Sequence, residues 1–302
     1  MEQELRLPDF LIIGAEKAGT TWLHAQLVSH PDIYMPKTKE IHYFNKWDSR
    51  LQLRDNYTAQ ELNWYAEYFK TAEPDQKVGE VTPLYLCDSK APERIAHTLP
   101  QARFIAILRN PVDRAYSHYW MARRREHEIR PFDQVIAAQD AAIIGRGQYG
   151  AQIKHWHQSI DERALLILIY EEVFADPDAG LAKVATFLGV LQSGFEQGQD
   201  SRVHGARRFR NPAAQNRAIR LARYLRETPG FLFLGNLLKS MGIYDAFRRM
   251  NEAEVDYPVM VPKDRKALQA FYAEDMATLE ETTGLDLAHW RNGDIKPAMD
   301  TD

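Results

Sequence analysis

Residues 9–23, DFLIIGAEKAGTTWL, place two glycines, a lysine and two threonines in one short segment. Gly14 and Gly19 have the spacing of the two glycines in the nucleotide-binding loop G-x-x-x-x-G-K-[ST]. Thr20 stands where that loop has its lysine, and the only lysine of the segment, Lys17, lies inside the loop. A turn between a strand and a helix offers unpaired backbone N–H groups and the positive end of the helix dipole. The segment therefore predicts a phosphate site, and the alternative is an ordinary turn with a surface lysine.

A second segment, FIAILRNPVDRAYSHYW, begins at residue 104 and adds an arginine at the end of an apolar run. Metal-dependent nucleotidases carry an aspartate at such a position to hold Mg²⁺, whereas this chain has Arg109. A guanidinium does not bind a metal but suits a phosphate. Ser117 follows near the predicted start of the next helix, where its hydroxyl could join the same anion. The ten histidines show no metal-ligand spacing, so the sequence predicts two anion sites and no metal.

Three short apolar runs are the elements that must position these residues. They span residues 10–15, 104–109 and 165–170, and none alternates with polar residues, which is typical of parallel strands buried on both faces. Helix-like stretches separate them. We therefore predict an α/β fold with a parallel β-sheet flanked by helices on both faces. In such folds ligands bind beyond the carboxyl ends of the strands.

Composition limits the class of protein. The 302 residues are 45% hydrophobic and 26% charged, as in a soluble globular protein. The net charge of −4 gives no reason to expect nucleic acid as a partner. The single cysteine, Cys87, cannot form an internal disulfide, which favours a reducing compartment. With no signal peptide at the start and no apolar run long enough to cross a bilayer, we expect a cytoplasmic protein without a transmembrane segment.

The chain is expected to form a single domain over residues 1–302, with a core of about residues 1–200. An arginine-rich loop and a helical extension would cover about residues 201–302. Within it, residues 217–226 place arginines every three or four positions between apolar residues, which predicts a basic amphipathic helix. That helix would pack on the core, or it would attract an anionic glycan, a lipid or a carrier-bound acceptor.

Both anion segments resemble those of sulfotransferases that use 3′-phosphoadenosine 5′-phosphosulfate (PAPS). EKAGTTWL resembles their 5′-phosphosulfate loop, and ILRNPVDRAYSHY resembles their 3′-phosphate segment. KTKEIHYF (37–44), GEVTPLYL (79–86) and the stretch from GQYGAQIKHW onward are similar to landmarks of the heparan-type and related bacterial branches. The resemblance implies a P-loop-NTPase-like sulfotransferase fold, PAPS as co-substrate and no required metal.

The resemblance also implies binding residues. Trp22 would lie near the adenine or, alternatively, in the core, and Tyr149 would lie near the 3′ end of the nucleotide or simply pack. A mobile loop would bring one or more of Arg207, Arg208 and Arg210 over the nucleotide. The complete set of predicted donor-binding residues is Lys17, Ala18, Gly19, Thr20, Thr21, Trp22, Arg109, Ser117, Tyr149, Arg207 and Arg208.

Sulfuryl transfer requires a base for the acceptor's proton and a cation for the leaving group. A cation inside the loop can stabilise the charge that grows on the bridging oxygen of the phosphosulfate, and the resemblance assigns that role to Lys17. Glu40 falls on the family's base motif, and His42 and Glu80 are alternatives. Glu40 could instead form an ion pair that orders a nearby cation, namely Lys37, Lys39 or Arg109.

The sequence therefore predicts a direct, in-line sulfuryl transfer from PAPS to a hydroxyl or amine of an acceptor. The acceptor would be a carbohydrate, a lipid or another small metabolite. Two alternatives remain: a nucleotide-dependent phosphotransferase, and a non-catalytic protein that binds a nucleotide.

Overall fold

The computed structural model describes residues 5–46, 53, 55–124, 128–195, 207–209, 252–254 and 258–292. Contacts divide the chain into two compact units, residues 1–201 together with 260–302, and residues 202–259. The first unit is built on a parallel sheet of five strands. These strands are β1 (Phe10–Gly14), β2 (Ile33–Tyr34), β3 (Lys77–Val81), β4 (Arg103–Leu108) and β5 (Leu165–Ile169).

The predicted α/β fold class is confirmed, and the three predicted strands are present as β1, β4 and β5 with ends that differ by one residue. The sequence did not predict β2 or β3. Strand β3 begins with the exposed Lys77 and contains Gly79 and the buried Glu80, so it has no continuous apolar run. Gly79 is needed for packing, because a Cβ at this position would overlap the ring of Phe10.

Helices flank this sheet and continue to the end of the described chain. Among the residues that the structure describes, no helix is both long and apolar enough to cross a membrane. The helices are α1 (Thr20–Ser29), α2 (Asn56–Ala59), α3 (Leu62–Ala66), α4 (Ala91–Thr98), α5 (Pro111–Arg124), α6 (Phe132–Ala137), α7 (Tyr149–Trp156), α8 (Tyr170–Ala175), α9 (Pro177–Leu188), α10 (Pro262–Thr283) and α11 (Ala288–Asn292).

The strand order β2-β3-β1-β4-β5 determines where a ligand can bind. Strand β1 is fully buried and lies between β3 and β4, with Phe10 opposite Gly79 on one side and Arg103 on the other. The chain leaves β1 toward β2 and β3 and later returns to the other side as β4, so the order reverses at β1. A crevice at the carboxyl ends of the strands is expected at such a reversal.

The second unit has two described strands, β6 (Arg207–Phe209) and β7 (Glu252–Glu254). They pair antiparallel, with Arg207 opposite Glu254. The basic stretch at 217–226 lies outside the described residues.

Candidate functional site

The turn that follows β1 lies at the reversal of strand order. The amide of Ala15 bonds to the carbonyl of Ile107 on β4 at 2.8 Å, and the amide of Ala18 closes the turn on Ala15 at 3.2 Å. Lys17 and Gly19 have left-handed φ angles of 71° and 90°. Helix α1 begins directly afterward, and the first amides of a helix have no acceptor within it. The turn therefore presents backbone donors together with the Lys17 side chain, as an anion site requires.

Thr20 and Trp22, at the start of α1, are buried, whereas Thr21 between them is half-buried. The Trp22 ring is 2% exposed and packs on Phe174, with 5.2 Å between ring centroids. Stacking of Trp22 on an adenine remains a prediction. The same phenylalanine explains Gly19, because a Cβ there would lie 2.8 Å from the Phe174 ring.

Arg109 follows β4 and reaches the turn. Its Nη1 donates to the carbonyl oxygen of Lys17 at 3.4 Å, and its guanidinium lies 4.7 Å from the ring centroid of Tyr170. The next residue is held in place, since the amide of Asn110 donates to Glu171 at 2.9 Å. Arg109, the predicted cation of the second anion segment, therefore lies next to the turn that forms the first anion segment.

Ser117 is farther from the start of its helix than the sequence suggested. It is the seventh residue of α5, which begins at Pro111, and is half-buried. A rise of about 1.5 Å per residue puts it about 9 Å along the axis from the first residue. The expected position near the helix start is wrong, because Pro111 begins the helix immediately after Asn110. A role for its hydroxyl at the 3′-phosphate remains a prediction.

An ion pair that the sequence did not suggest anchors the turn. The Glu16 carboxylate accepts from Arg146 at 2.6 Å and lies 3.7 Å from Nδ1 of His118. Burial opposes ionisation, yet His118 and the guanidinium groups of Arg146 and Arg114 lower the pKa of Glu16 to about 2. Burial, with the nearby Arg114 and Arg146, lowers the pKa of His118 to about 3, although Glu16 opposes this shift. Glu16 is thus a half-buried anion at neutral pH, and it ties the turn to residues 145–147.

The other wall of the site is the segment Lys39–Glu40–His42. Nζ of Lys39 donates to Oγ1 of Thr21 at 2.7 Å and lies 3.6 Å from the Glu40 carboxylate. The other Glu40 oxygen lies 3.7 Å from Nε2 of the buried His42. Burial acts to raise the pKa of Glu40, but His42 and Lys39 together lower it. Two base candidates are therefore neighbours, and Lys39 connects them to α1.

Glu80, the third base candidate, is fully enclosed instead. Its carboxylate accepts hydrogen bonds from three hydroxyl groups, those of Tyr65, Thr82 at 2.6 Å and Tyr85 at 2.8 Å. Burial raises the pKa of Glu80. The Tyr85 oxygen in turn accepts the amide of Tyr43 at 3.1 Å. With no exposed surface, Glu80 cannot meet an acceptor and supports the neighbouring segment instead.

The remaining predicted donor-binding residues are Tyr149, Arg207 and Arg208. Tyr149 begins α7, is 1% exposed and packs 6.3 Å from the ring centroid of Trp290. Burial raises the pKa of its hydroxyl, and the backbone amide of Arg109 is among the groups that oppose this shift. Arg207 and Arg208 lie on β6, and their side chains are outside the described part of the chain. The roles of all three residues at a nucleotide remain predictions.

Within the described residues, no group of three or more His, Cys, Asp or Glu side chains is placed to hold a metal ion. The groups that the structure does bring together are the turn, Arg109 and the Lys39–His42 segment. This arrangement can bind a phosphate group at the start of α1 and place a carboxylate beside it.

Comparisons with known proteins identify relatives of this chain. A family model described as sulfotransferase domain matches residues 7–214. The bifunctional heparan sulfate N-deacetylase/N-sulfotransferase 3 of Homo sapiens is 34% identical over 208 residues, 62% of this chain and 23% of that protein. Heparan sulfate glucosamine 3-O-sulfotransferase 3A1 of Homo sapiens is 28% identical over 197 residues, 63% of this chain and 46% of that protein.

Among solved structures, a crystal structure of a sulfotransferase from Alicyclobacillus acidocaldarius matches with a TM-score of 0.67 and 26% identity. The match covers 95% of this chain and 99% of that one. By contrast, the chain spans less than half the length of the two human relatives, 23% and 46%.

Proposed function

The chain belongs to the sulfotransferase domain family, and we propose that it transfers a sulfuryl group from PAPS to a hydroxyl or amine of an acceptor. One observation carries this proposal. Glu40, a candidate base, lies 3.6 Å from Lys39, which itself bonds to Thr21 at the start of α1. A base and a phosphate site are therefore neighbours, as direct transfer between a donor and an acceptor requires.

The proposed reaction is a single displacement at sulfur. The acceptor oxygen or nitrogen forms a bond to sulfur while the bond from sulfur to the bridging oxygen breaks. The electron pair of the broken bond stays on the phosphate, which leaves as 3′-phosphoadenosine 5′-phosphate (PAP). Glu40 takes the acceptor's proton. Its lowered pKa suits a late transfer, since a nucleophile already bonded to sulfur is acidic.

Different residues around the turn would bind different parts of the donor. Backbone amides of the turn, with Thr20 and Thr21, would hold the 5′-phosphate at the end of the helix dipole. Lys17 would stabilise the charge that grows on the bridging oxygen. Arg109, whose guanidinium already contacts the turn, would bind the 3′-phosphate, with Ser117 as a further donor.

The acceptor is proposed to be a carbohydrate that carries free amines or hydroxyls. The names of the two human relatives, an N-sulfotransferase and a 3-O-sulfotransferase of heparan sulfate, support this class. The lone cysteine supports action in a reducing compartment, and we propose the cytoplasm.

Calorimetric titration tests the donor site. We expect PAP to bind in EDTA and ATP with Mg²⁺ to bind weakly, because Thr20 replaces the lysine of the ATP-cleaving loop. Arg109→Ala should weaken PAP binding by at least about tenfold, the loss expected for a charge-assisted bond to phosphate. Preference for ATP with Mg²⁺ would instead indicate a phosphotransferase.

Turnover separates an enzyme from a protein that only binds the nucleotide. The test uses ³⁵S-labelled PAPS and an oligosaccharide of alternating glucuronic acid and glucosamine with free amino groups. Label on the sugar supports the proposal, and its position distinguishes transfer to nitrogen from transfer to oxygen. PAP binding without transfer to this sugar or to a panel of other acceptors would favour the non-catalytic alternative.

A further inference from the structure

Lys39 joins the two halves of the site. Its ammonium lies 2.7 Å from Oγ1 of Thr21, in the first turn of α1, and 3.6 Å from a carboxylate oxygen of Glu40. The side chain is 26% exposed. Lys37, two residues earlier, is exposed to solvent. One lysine of this segment is therefore turned into the site, and the other belongs to the surface.

The surroundings of Lys39 disfavour the charged form of its amine. Burial lowers the pKa of Lys39, although the Glu40 carboxylate opposes this effect. His24 follows Thr21 by three residues and shares its face of α1, and burial together with the charge of Lys39 lowers the pKa of His24. A partly buried ammonium costs free energy unless anions compensate it. Glu40 compensates it in part, and a bound anionic group would complete the compensation.

The proposed reaction puts such a group between the two contacts of Lys39. In a direct displacement, sulfur lies between the leaving oxygen of the phosphate and the attacking atom of the acceptor. The phosphate is held at the start of α1, and the acceptor's proton faces Glu40. A cation that contacts both Thr21 and Glu40 therefore lies beside the sulfuryl group.

We propose that Lys39 is a catalytic residue that binds the non-bridging oxygens of the sulfuryl group during its transfer. This inference depends on the proposed function. Lys39 gives up no proton and forms no bond. It stabilises oxygens that stay on sulfur from donor to product, whereas Lys17 stabilises the oxygen that leaves with PAP. The two lysines thus act on different atoms of the donor.

The difference between PAPS and PAP tests this assignment without an acceptor, because PAP lacks the sulfuryl group. Affinities of both nucleotides are measured by calorimetry for the wild type, Lys39→Met and the surface control Lys37→Met. We expect Lys39→Met to weaken PAPS binding about tenfold and to leave PAP binding within about twofold, as for the loss of one charge-assisted contact. Lys37→Met should change neither affinity.

Turnover with the amino-sugar oligosaccharide gives the second readout. Lys39→Met should lower kcat by about 100-fold, since the charge on the sulfuryl group matters most in the transition state. Lys39→Arg keeps the charge and should restore the preference for PAPS over PAP and part of kcat. If Lys39→Met does not fold, Lys39→Gln replaces it, because glutamine also removes the charge but keeps a polar side chain, and it should weaken PAPS binding more than PAP binding.

Equal losses of PAP and PAPS affinity in Lys39→Met would mean that Lys39 serves the phosphate, and unchanged PAPS affinity with unchanged kcat would mean that it serves neither. Either result overturns the inference while leaving the proposed function intact. Failure of the wild type to bind PAP would overturn the proposed function itself.

Discussion

Three side chains of the site stand on backbone conformations that only glycine adopts easily. Lys17, Glu40 and His42 have φ angles of 71°, 62° and 55°, and each such conformation costs about 1 kcal/mol or more. Surrounding contacts hold them there, for example the bond from the Glu40 amide to the Val81 carbonyl at 2.9 Å. Side chains on strained positions are typical of functional sites, and all three belong to the predicted catalytic set.

Substitution of Glu40 tests the base. Glu40→Gln keeps the shape of the side chain but cannot take a proton, so sulfation of the amino-sugar oligosaccharide should fall by at least about 100-fold. PAP affinity should stay within about threefold, because this carboxylate is assigned no contact with the nucleotide. Sulfation retained by Glu40→Gln would move the base to His42.

The pH profile of kcat gives an independent check on the same residue. Because the pKa of Glu40 lies below the ordinary glutamate value of 4.5, the base is ionised above that pH. Loss of rate on the acid side should therefore occur only below about pH 4.5. An acid limb between pH 6 and 7 would indicate a histidine as the base.

Glu16 makes stability depend on pH. Its pKa is about 2 in the folded chain against an ordinary glutamate value of 4.5, so the ionised carboxylate stabilises the fold above pH 4.5. That contribution, about 3 kcal/mol by the size of the shift, is lost as the pH falls from 4.5 toward 2. Urea unfolding should show Glu16→Gln less stable than the wild type at pH 7, with a smaller difference at pH 3.

Glu162, which is 74% exposed and lies 3.8 Å from His157, supplies the control for this prediction. Glu162→Gln should change the free energy of unfolding by less than about 1 kcal/mol at either pH. A deficit for Glu16→Gln that is the same at pH 7 and pH 3 would show that the ion pair with Arg146 does not cause it.

Among the elements, the segment from Lys39 to Phe44 depends on its neighbours, because it is neither helix nor strand. Tyr85 accepts the amides of Tyr43 and Phe44 at 3.1 and 3.5 Å and donates to Glu80. The Asn56 side chain donates to the His42 carbonyl at 3.0 Å. Side chains of α2, of β3 and of the turn after β3 thereby hold the segment that carries the proposed base.

Two tyrosines allow a matched test of this support. Tyr85→Phe and Tyr65→Phe each remove one hydroxyl from Glu80, but only Tyr85 contacts the amides of residues 43 and 44. Both should lower stability by about 1 kcal/mol. Tyr85→Phe alone should speed hydrogen exchange in a peptide covering residues 38–46 and lower kcat by about tenfold. Equal rates of hydrogen exchange over residues 38–46 in the two variants would show that Tyr85 does not hold this segment.

The sequence predicted the elements whose signals are local. The apolar runs of β1, β4 and β5 are continuous, and the turn after β1 carries its own glycines. Strand β3 was not predicted because its composition does not indicate a strand. It carries the buried Glu80, whose carboxylate accepts bonds from three hydroxyl groups that only the folded chain brings together. Lys39 was one of several possible partners of Glu40, and only the folded chain shows that it also reaches Thr21.

At the scale of the whole molecule, the end of the described chain supports its middle. Helix α10 packs along α7, and the Asp275 carboxylate accepts the amides of Gly150 and Ala151, each at 2.9 Å, at the start of α7. Farther on, Trp290 donates to Glu171 at 3.0 Å, the carboxylate that also holds the residue after Arg109. Residues distant in sequence thus support both the nucleotide side of the site and the helix that begins with Tyr149.

Substitution of Gly150, where α7 lies close to the backbone of α10, tests the packing of these two helices. A Cβ there would overlap the backbone oxygen of Asp275 and lie 2.9 Å from the amide nitrogen of Leu279, and neither backbone atom can move independently of α10. Gly150→Ala should therefore lower the free energy of unfolding by about 1–3 kcal/mol, despite the higher helix propensity of alanine.

Gly145→Ala is the matched control, because its nearest neighbour would be the Ala141 Cβ at 3.9 Å, an ordinary contact. Its free energy of unfolding should stay within about 0.5 kcal/mol of the wild type. Urea titration measures both variants, and hydrogen exchange over residues 262–283 shows whether α10 loosens. Faster exchange of α10 in Gly150→Ala alone would establish that α7 and α10 unfold as one unit. Equal stability of the two variants would mean that α10 can shift to admit a methyl group.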